Sequence, residues 1–464
     1  MAPAVAWFRR DLRTDDHPAL AAAAALGGAD GVVPLFVVDG AARAGCGPNR
    51  RRFAAESVRA LDRDLGGALV VRRGPPERAV AALAAEVGAG SVVVTADFGP
   101  YGRRRDREVA RALQAGGRRL VRAGSPYAVT PGTTRTGQGQ PFRVFTPFLR
   151  AWERVAEREP VAVPPLRLRG APSDAGPDDL LPDPPGRAGG VPGWWAGLPL
   201  GPAPVLPKAG SAAAHDRLRR FVDGPVGRYA SDRDRPAGDT TSRLSPHLHL
   251  GTIHPRSILQ HLGDGPGERR LATELAWREF YADVLWHHPA SAWAPLAAAG
   301  AHLRVDTGAG ARRRFAAWAT GTTGFPLVDA GMRQLLAEGW MHNRVRMAAA
   351  SVLVKDLHLD WRWGARWFLW HLVDGDIASN NHGWQWVAGV GTDAAPFHRV
   401  FNPDLQRARF DPDGAYVRRY LPEAGGPGRP GPIVDHGAER LEALRRWDEA
   451  KAAAAAERGA GTLR

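Results

Sequence analysis

The sequence predicts an α/β fold in two parts, an N-terminal domain built on a doubly wound parallel sheet and a C-terminal domain made only of helices. Short β-branched runs alternate with helix-forming stretches near the N-terminus, whereas apolar residues recur at helical spacing in the second half. Such alternation is typical of parallel sheets covered by helices. The length of 464 residues exceeds one ordinary core. We therefore expect an N-terminal domain at 1–130, an interdomain linker at 131–212 and a helical domain at 213–464.

In the first domain, strands are predicted from the runs VAWF, VVPLFVV, LVVRRG and SVVVTADF, and helices at 51–65 and 77–87. Ligands of such sheets bind beyond the carboxyl ends of the strands. No GxGxxG run follows the first strand, which argues against an ordinary dinucleotide site. Residues 160–210 are rich in proline and glycine, so they predict a linker or a long wrapping connection. Later helices are predicted from HDRLRRFVDG, HPRSILQHL, ELAWREFYADVLWHH, VDAGMRQLLAEGWMHNRVRMAAASVLVKDL and GARWFLWHLV.

The net charge of +14 favours a polyanionic partner, because cationic side chains that contact phosphates release counterions and speed association. Arginine carries almost all of this charge, and a GC-rich gene would also enrich arginine, so the charge alone does not establish DNA binding. The single cysteine, Cys46, fits a reducing cytosol. The sequence shows neither a secretory leader nor an apolar run of about 18 residues, so we expect a cytoplasmic protein without a membrane span.

Polar and aromatic residues crowd the stretch 374–403, which contains two acids, two adjacent amides and two tryptophans within its first thirteen residues. These residue types suit a flat heteroaromatic ligand, with amides and carboxylates at its polar edges and indoles at its faces. The alternative is a tryptophan-rich core segment whose acids cap a helix.

Two further segments predict ligand contacts. We expect a helix to begin in the run that contains Thr241, Ser242, Leu244 and Ser245, with hydroxyl groups that cap its N-terminus. A helix N-terminus can bind phosphate, and capping alone is the alternative. In ELAWREFY, an acid, an indole and a guanidinium lie within two helical turns and can share one cavity wall. The alternative is an amphipathic helix on which the glutamate and the arginine form an exposed pair. The histidines have no HExxH or cysteine partners, so we predict no metal site.

Nearly the whole chain, from AWFRRDLRTDDHPAL to VRRYLPE, resembles the photolyase and cryptochrome family, and TDAAPFHRVFNP is its most specific run. The resemblance is closest to class I cyclobutane pyrimidine dimer photolyases. It implies light-driven DNA repair by a carbon–carbon lyase that uses FAD and binds dimer-containing double- or single-stranded DNA. The resemblance further implies a monomer that associates with the bacterial nucleoid through DNA. The alternatives are a cryptochrome-like blue-light photoreceptor, a (6-4) lesion photolyase or a non-enzymatic nucleic-acid-binding protein.

The resemblance also implies roles for single residues. Asn343 would lie beside the flavin N5, Arg346 would pair with Asp374 near the flavin ring, and Glu274 would hydrogen-bond the lesion, best if protonated in an apolar pocket. The implied FAD-binding residues are Tyr229, Thr241, Ser242, Arg243, Leu244, Ser245, Arg278, Asn343, Arg346, Asp374, Gly375, Asp376 and Asn380. The implied catalytic residues are Glu274 and Asn343, with Trp318, Trp361 and Trp384 as an electron path from the surface. The implied DNA contacts are Arg233, Glu274, Trp277, Arg344, Met347, Trp384 and Arg399.

The family also implies a second, antenna chromophore in the N-terminal domain. Tyr101 and Gly102 stand where folate-binding relatives carry an Asn-Glu pair, so 8-hydroxy-deazaflavin is favoured over methenyltetrahydrofolate. Arg51 and Asp97 are the candidate contacts. An empty or flavin-filled antenna site remains the alternative.

Overall fold

The computed structural model describes residues 2–181, 195, 198, 203–392, 398–425 and 431–461. Packing divides the chain into two compact units. The first comprises Met1–Val191, Pro207–Ala230 and Thr241–Pro289, and the second comprises Pro192–Leu206, Ser231–Thr240 and Ala290–Arg464. The predicted domain boundaries at 130 and 212 stay a prediction. Parts of the predicted linker, and residues 393–397 of the TDAAPFHRVFNP run, lie outside the described residues.

A parallel sheet organises the first unit, which confirms the doubly wound prediction. Its strands are β1 (Ala4–Phe8), β2 (Val32–Val38), β3 (Val70–Arg73), β4 (Ser91–Val94) and β5 (Arg119–Arg122). Within the described residues their order is β3-β2-β1-β4-β5, and each neighbouring pair is parallel. β1, β2 and β4 are buried along their whole length because both faces are covered. The edge strand β5 was not predicted, since its sequence RLVR has arginines at both ends.

Helices cover both faces of this sheet and continue beyond it. They are α1 (Pro18–Gly27), α2 (Gly40–Ala44), α3 (Pro48–Asp64), α4 (Pro76–Glu86), α5 (Pro100–Ala115), α6 (Phe145–Val155), α7 (Ser211–Val222), α8 (Tyr229–Asp232), α9 (Ser245–Leu250), α10 (Pro255–Leu259) and α11 (Pro266–His287). The two helices predicted at 51–65 and 77–87 are α3 and α4. One core, formed by Val5, Trp7, Leu35 and Val92 with residues of α4 and α5, fills one side of the sheet.

In the second unit the described residues from 290 onward form helices, as predicted. These are α12 (Gly308–Thr320), α13 (Pro326–Glu338), α14 (Asn343–Ser351), α15 (Trp361–His371), α16 (Ile377–Ala388), α17 (Pro403–Phe410), α18 (Ala415–Tyr420) and α19 (His436–Gly461), with a π-helical turn at Val352–Asp356. The run predicted as one long helix at 328–357 is broken at Gly339, which ends α13 with a φ of +61°. Among the described helices, none is both long and apolar enough to cross a membrane.

Candidate functional site

In the first unit, an arginine from α7 holds the turn that precedes α9. The guanidinium of Arg217 donates to the carbonyl oxygens of Thr241 at 2.7 Å and Ser242 at 2.8 Å. Arg243 then adopts a φ of +48°, a left-handed conformation that a non-glycine residue adopts at an energetic cost. The turn is therefore stabilised by contacts from outside its own sequence.

The predicted hydroxyl cap on α9 is wrong. The helix begins at Ser245 with Leu244 at its N-cap position, and no side chain caps it. The hydroxyl of Ser242 instead accepts the backbone N–H of Leu244 at 3.5 Å. The reason is the left-handed turn at Arg243, which separates Thr241 and Ser242 from the start of the helix and leaves Leu244 at the N-cap position.

Two other residues implied in FAD binding pack in the same unit. Arg278 of α11 donates to the carbonyl oxygens of Pro126 at 3.2 Å and Leu248 at 3.1 Å, and its guanidinium lies 4.5 Å above the ring of Tyr127. Arg278 thus links α11 to the end of α9. Tyr229 is buried and packs edge-on against Phe221.

The lesion contacts implied on α11 lie in surroundings that the sequence did not predict. Glu274 forms an ion pair with Arg270 at 3.1 Å and its side chain is 27% exposed. The expectation of an apolar pocket around this carboxyl group is therefore wrong, because an arginine one helical turn away is its neighbour. Phe145 stacks on Trp277 with ring centroids 3.6 Å apart and planes 9° apart, so one face of that indole is covered.

The candidate antenna residues do not meet in one cavity. Asp97 pairs with Arg105 at 3.2 Å and borders a cavity of about 20 Å³ next to Thr95. Gly102 permits this arrangement, since a Cβ there would lie 2.1 Å from the Asp97 carboxyl group. Arg51 is buried on α3 and lines neither this cavity nor the larger one described next.

A larger cavity of about 730 Å³ opens at the carboxyl ends of β2 and β3, within the range typical of ligand sites. Its lining includes Val38, Asp39, Arg73, Tyr101, Arg104 and Arg105. The hydroxyl of Tyr101 donates to Asp39, and burial together with this carboxylate raises the tyrosine pKa. The sequence did not single out this cavity, although it lies at the edge of the sheet where ligands were expected.

In the second unit, the acids of the polar stretch have two different roles. Asp374 is buried, and its carboxylate accepts a hydrogen bond from Arg346 at 2.9 Å, the pairing that the resemblance implied. Asp376 is the N-cap of α16 and accepts the backbone N–H of Ser379 at 3.0 Å. The alternative of a helix-capping acid is therefore confirmed for Asp376.

The residues around these acids form hydrogen bonds with one another and with α15. The backbone N–H of Gly375 donates to the carbonyl of Leu372 at 3.3 Å. The side-chain amide of Asn380 donates to the carbonyl of Ala365 at 3.1 Å and to Asn381 at 2.8 Å. Within the polar stretch, residues 377–388 thus form the regular helix α16, which packs on α15.

Asn343 is exposed at the first position of α14, where His342 caps the helix by accepting the N–H of Arg344. The guanidinium of Arg344 donates to both oxygens of Asp234 at 2.9 Å, and its Nη1 lies 3.8 Å from the sulfur of Met347. Arg233 lies 3.6 Å from the same carboxylate. Asp234 was missed by the sequence analysis, and its only signal was the alternating run DRDR.

The three tryptophans expected to lead electrons from the surface are all buried. Trp318 is 0% exposed, Trp384 3% and Trp361 6%, so none of them supplies a surface end for that path. Trp318 lies in the core because its indole N–H donates to the carbonyl of Ala349 and its ring packs on Phe368. Trp318 and Trp384 do meet edge to face, with centroids 5.9 Å apart. Arg399, an implied DNA contact, lies 4.9 Å above the ring of Trp386.

Lys355 is a buried cation beside Trp361. Lys355 and Trp361 both border a second small cavity of about 20 Å³, which lies within the second unit. The Lys355 amine donates to the carbonyl of Ala388 at 2.8 Å and contacts His398. Burial lowers the pKa of Lys355 from 10.5 to about 7. The folded chain therefore binds this proton less tightly than the unfolded chain does.

We expect the free energy of unfolding to rise between about pH 7 and about pH 9 through Lys355, because the penalty on the buried charge disappears as the amine loses its proton. Lys355→Met should be more stable than the parent near pH 7 and should lack this rise. Chemical denaturation at both pH values measures it, with the exposed Lys451→Met as the matched control. An equal pH response in parent and Lys355→Met would contradict the prediction.

Among the described residues, no group of three or more histidine, cysteine or acidic side chains is arranged to hold a metal ion.

Sequence and structure comparisons give one consistent result. The sequence model described as DNA photolyase matches residues 4–166, and that described as the FAD binding domain of DNA photolyase matches 271–428. A deoxyribodipyrimidine photo-lyase of Streptomyces griseus is 42% identical over 91% of this chain and 90% of its own length. A bacterial class III photolyase from Agrobacterium tumefaciens superimposes with a TM-score of 0.85 at 36% identity, covering 97% of this chain and 98% of its own. An archaeal photolyase from Sulfolobus tokodaii with two FAD molecules gives 0.76 at 27% identity, covering 96% and 99%.

Proposed function

The chain belongs to the DNA photolyase family and is a light-driven repair enzyme for pyrimidine dimers in DNA, and we propose that the lesion it splits is the cyclobutane dimer. The observation that most supports this proposal is the similarity to a deoxyribodipyrimidine photo-lyase at 42% identity over 91% of this chain. By family resemblance, Met347 matches the cyclobutane-dimer photolyases, whereas the (6-4) branch carries a histidine pair in this neighbourhood. The assignment to class I remains a proposal, because one of the similar structures is that of a class III photolyase.

The residues of each unit fit FAD by their chemistry. In the first unit, the hydroxyls of Thr241, Ser242 and Ser245 and the guanidinium of Arg243 are donors suited to phosphate. In the second unit, the pair of half-buried Arg346 with buried Asp374 and the amides of Asn343 and Asn380 suit the polar edge of a flavin. When bound and reduced, FAD supplies the light-excited electron, and the protein contributes position and electrostatics.

Photolyases act on a base outside the DNA stack, and unstacking costs a few kcal/mol, least at a damaged step. In our proposal Trp277 offers the uncovered face of its indole to the flipped lesion. In our proposal the carboxyl group of Glu274, in its protonated form and separated from Arg270, donates a hydrogen bond to the negative charge that develops on the lesion. Arg233, Arg344 and Arg399 bind phosphates, which sets affinity rather than lesion choice.

Glu274→Ala is expected to lower dimer splitting per absorbed photon by about tenfold, since one hydrogen bond to the developing charge is worth roughly 1–3 kcal/mol. Flavin content should stay at the parental level. The measurement is restoration of thymine in a dimer-containing oligonucleotide under blue light, with Glu268→Ala on the same helix as control. Loss of flavin from Glu274→Ala would assign this residue a structural role.

The same assay separates the proposed enzyme from a cryptochrome-like photoreceptor. We expect restored thymine only in illuminated samples. A flavin-loaded protein that restores none in light would support the photoreceptor alternative. A (6-4) oligonucleotide repaired in place of the cyclobutane one would reassign the lesion.

We also propose a second chromophore. The 8-hydroxy-deazaflavin prediction with Arg51 and Asp97 stays a proposal, and the alternatives are a flavin in the 730 Å³ cavity beside Tyr101 or an empty antenna site. Extraction of the pigments and their absorption spectra decide between them. A monomeric state and association with the nucleoid through DNA complete the proposal.

A further inference from the structure

Two arginines that the proposed function assigns to DNA phosphates share one carboxylate, Asp234, in the second unit. Arg344 donates to both carboxylate oxygens through Nη2 at 2.9 Å, and its Nε lies 3.3 Å from one of them. The Nε of Arg233 is 3.6 Å from the same oxygen. One negative charge therefore faces two positive charges.

The guanidinium of Arg344 is also fixed by neutral contacts. Its central carbon lies 4.5 Å from the ring centre of Phe410, and its Nη1 is 3.8 Å from the sulfur of Met347. These contacts keep the side chain in place when the carboxylate loses its charge. The Asp234 side chain is 34% exposed and that of Arg344 is 20% exposed, so solvent and phosphate can reach the pair.

We propose that Asp234 limits the affinity of the protein for DNA: its carboxylate occupies Arg344 in the free protein and so weakens binding to DNA phosphates. The inference rests on the proposed phosphate contacts of Arg344 and Arg233. An exposed ion pair is worth about 0–1 kcal/mol, so a phosphate can displace the carboxylate. The cost of this exchange opposes binding to damaged and undamaged DNA alike.

The test is the salt dependence of DNA binding by the intact, flavin-loaded protein. Asp234→Asn keeps the shape and one acceptor oxygen but removes the charge. We expect it to bind undamaged duplex about fivefold more tightly at low salt and to steepen the plot of log K against log salt by about 0.9, the value for one additional phosphate. Affinity for dimer-containing duplex should rise by a similar factor, because the cost of displacing the carboxylate from Arg344 is the same in both complexes.

Asp306→Asn is the matched control, because Asp306 is a carboxylate shared by Arg314 and Arg446 and is 30% exposed. It removes the same charge from a residue that no proposed DNA contact touches. A second comparison adds Arg344→Gln: the extra slope of Asp234→Asn should vanish in the double variant, since the two residues act as a pair. If Asp234→Asn fails to fold, Asp234→Ser takes its place.

An unchanged salt slope in Asp234→Asn, or weaker binding to undamaged duplex, would overturn the inference. The same slope change in Asp306→Asn would overturn it as well, because net charge alone would then explain the effect. Failure of the proposed function looks different: the parental protein would not prefer dimer-containing DNA and would not repair it in light.

Discussion

Glu279→Ala is expected to lower the free energy of unfolding by about 4 kcal/mol, because three buried donors lose their acceptor and each costs roughly 1–3 kcal/mol when unsatisfied. The carboxylate of Glu279 accepts the backbone N–H groups of Ala128 at 2.6 Å and Val129 at 2.9 Å and the indole N–H of Trp152 at 2.6 Å. Glu279 is 1% exposed, so water cannot replace these bonds. Domains of ordinary stability have only about 5–15 kcal/mol to lose.

Chemical denaturation monitored by circular dichroism measures this loss. Glu279→Gln is the matched control, since its amide oxygen can still accept from two of the donors, and it should lose about half as much. Burial raises the pKa of Glu279, so the parent should also become less stable as the pH rises above the unfolded value of 4.5, and Glu279→Gln should not. Equal stability of the alanine variant and the parent would show that this network contributes little.

Asp374→Asn is expected to reduce bound flavin at least tenfold while helix content is retained. Arg346 would keep its bond to the carbonyl of Met341 at 2.8 Å but lose its anionic partner. A change of about 1.4 kcal/mol in binding already gives a tenfold loss, and breaking a charge-assisted buried bond exceeds that. The readout is the ratio of flavin released on denaturation to protein.

Asp360→Asn is the matched control, because Asp360 pairs with Arg362 at 2.9 Å in the same unit and has no proposed flavin contact. It should keep the parental flavin content. A fully loaded Asp374→Asn variant would remove Asp374 from the proposed FAD site without affecting the family assignment.

Local patterns in the sequence were sufficient for the architecture. The β-branched runs of β1, β2 and β4 and the helical spacing after residue 213 predicted a parallel sheet followed by helices, since both depend on residues close together in the chain. The short edge strand β5 was not predicted, because its four residues, with an arginine at each end, show no apolar alternation. The Arg346–Asp374 pairing came from family resemblance rather than from periodicity.

What the sequence determined by itself is thus the fold class, the family and the residue types of the site. Only the tertiary structure decided which partner each charged or aromatic residue has: Arg344 meets Asp234 across 110 positions, Phe145 covers one face of Trp277, and Trp318 is fully buried. The physical reason is that burial and ion pairing depend on distances between residues far apart in the chain. Periodicity within one helix or strand carries no information about those distances.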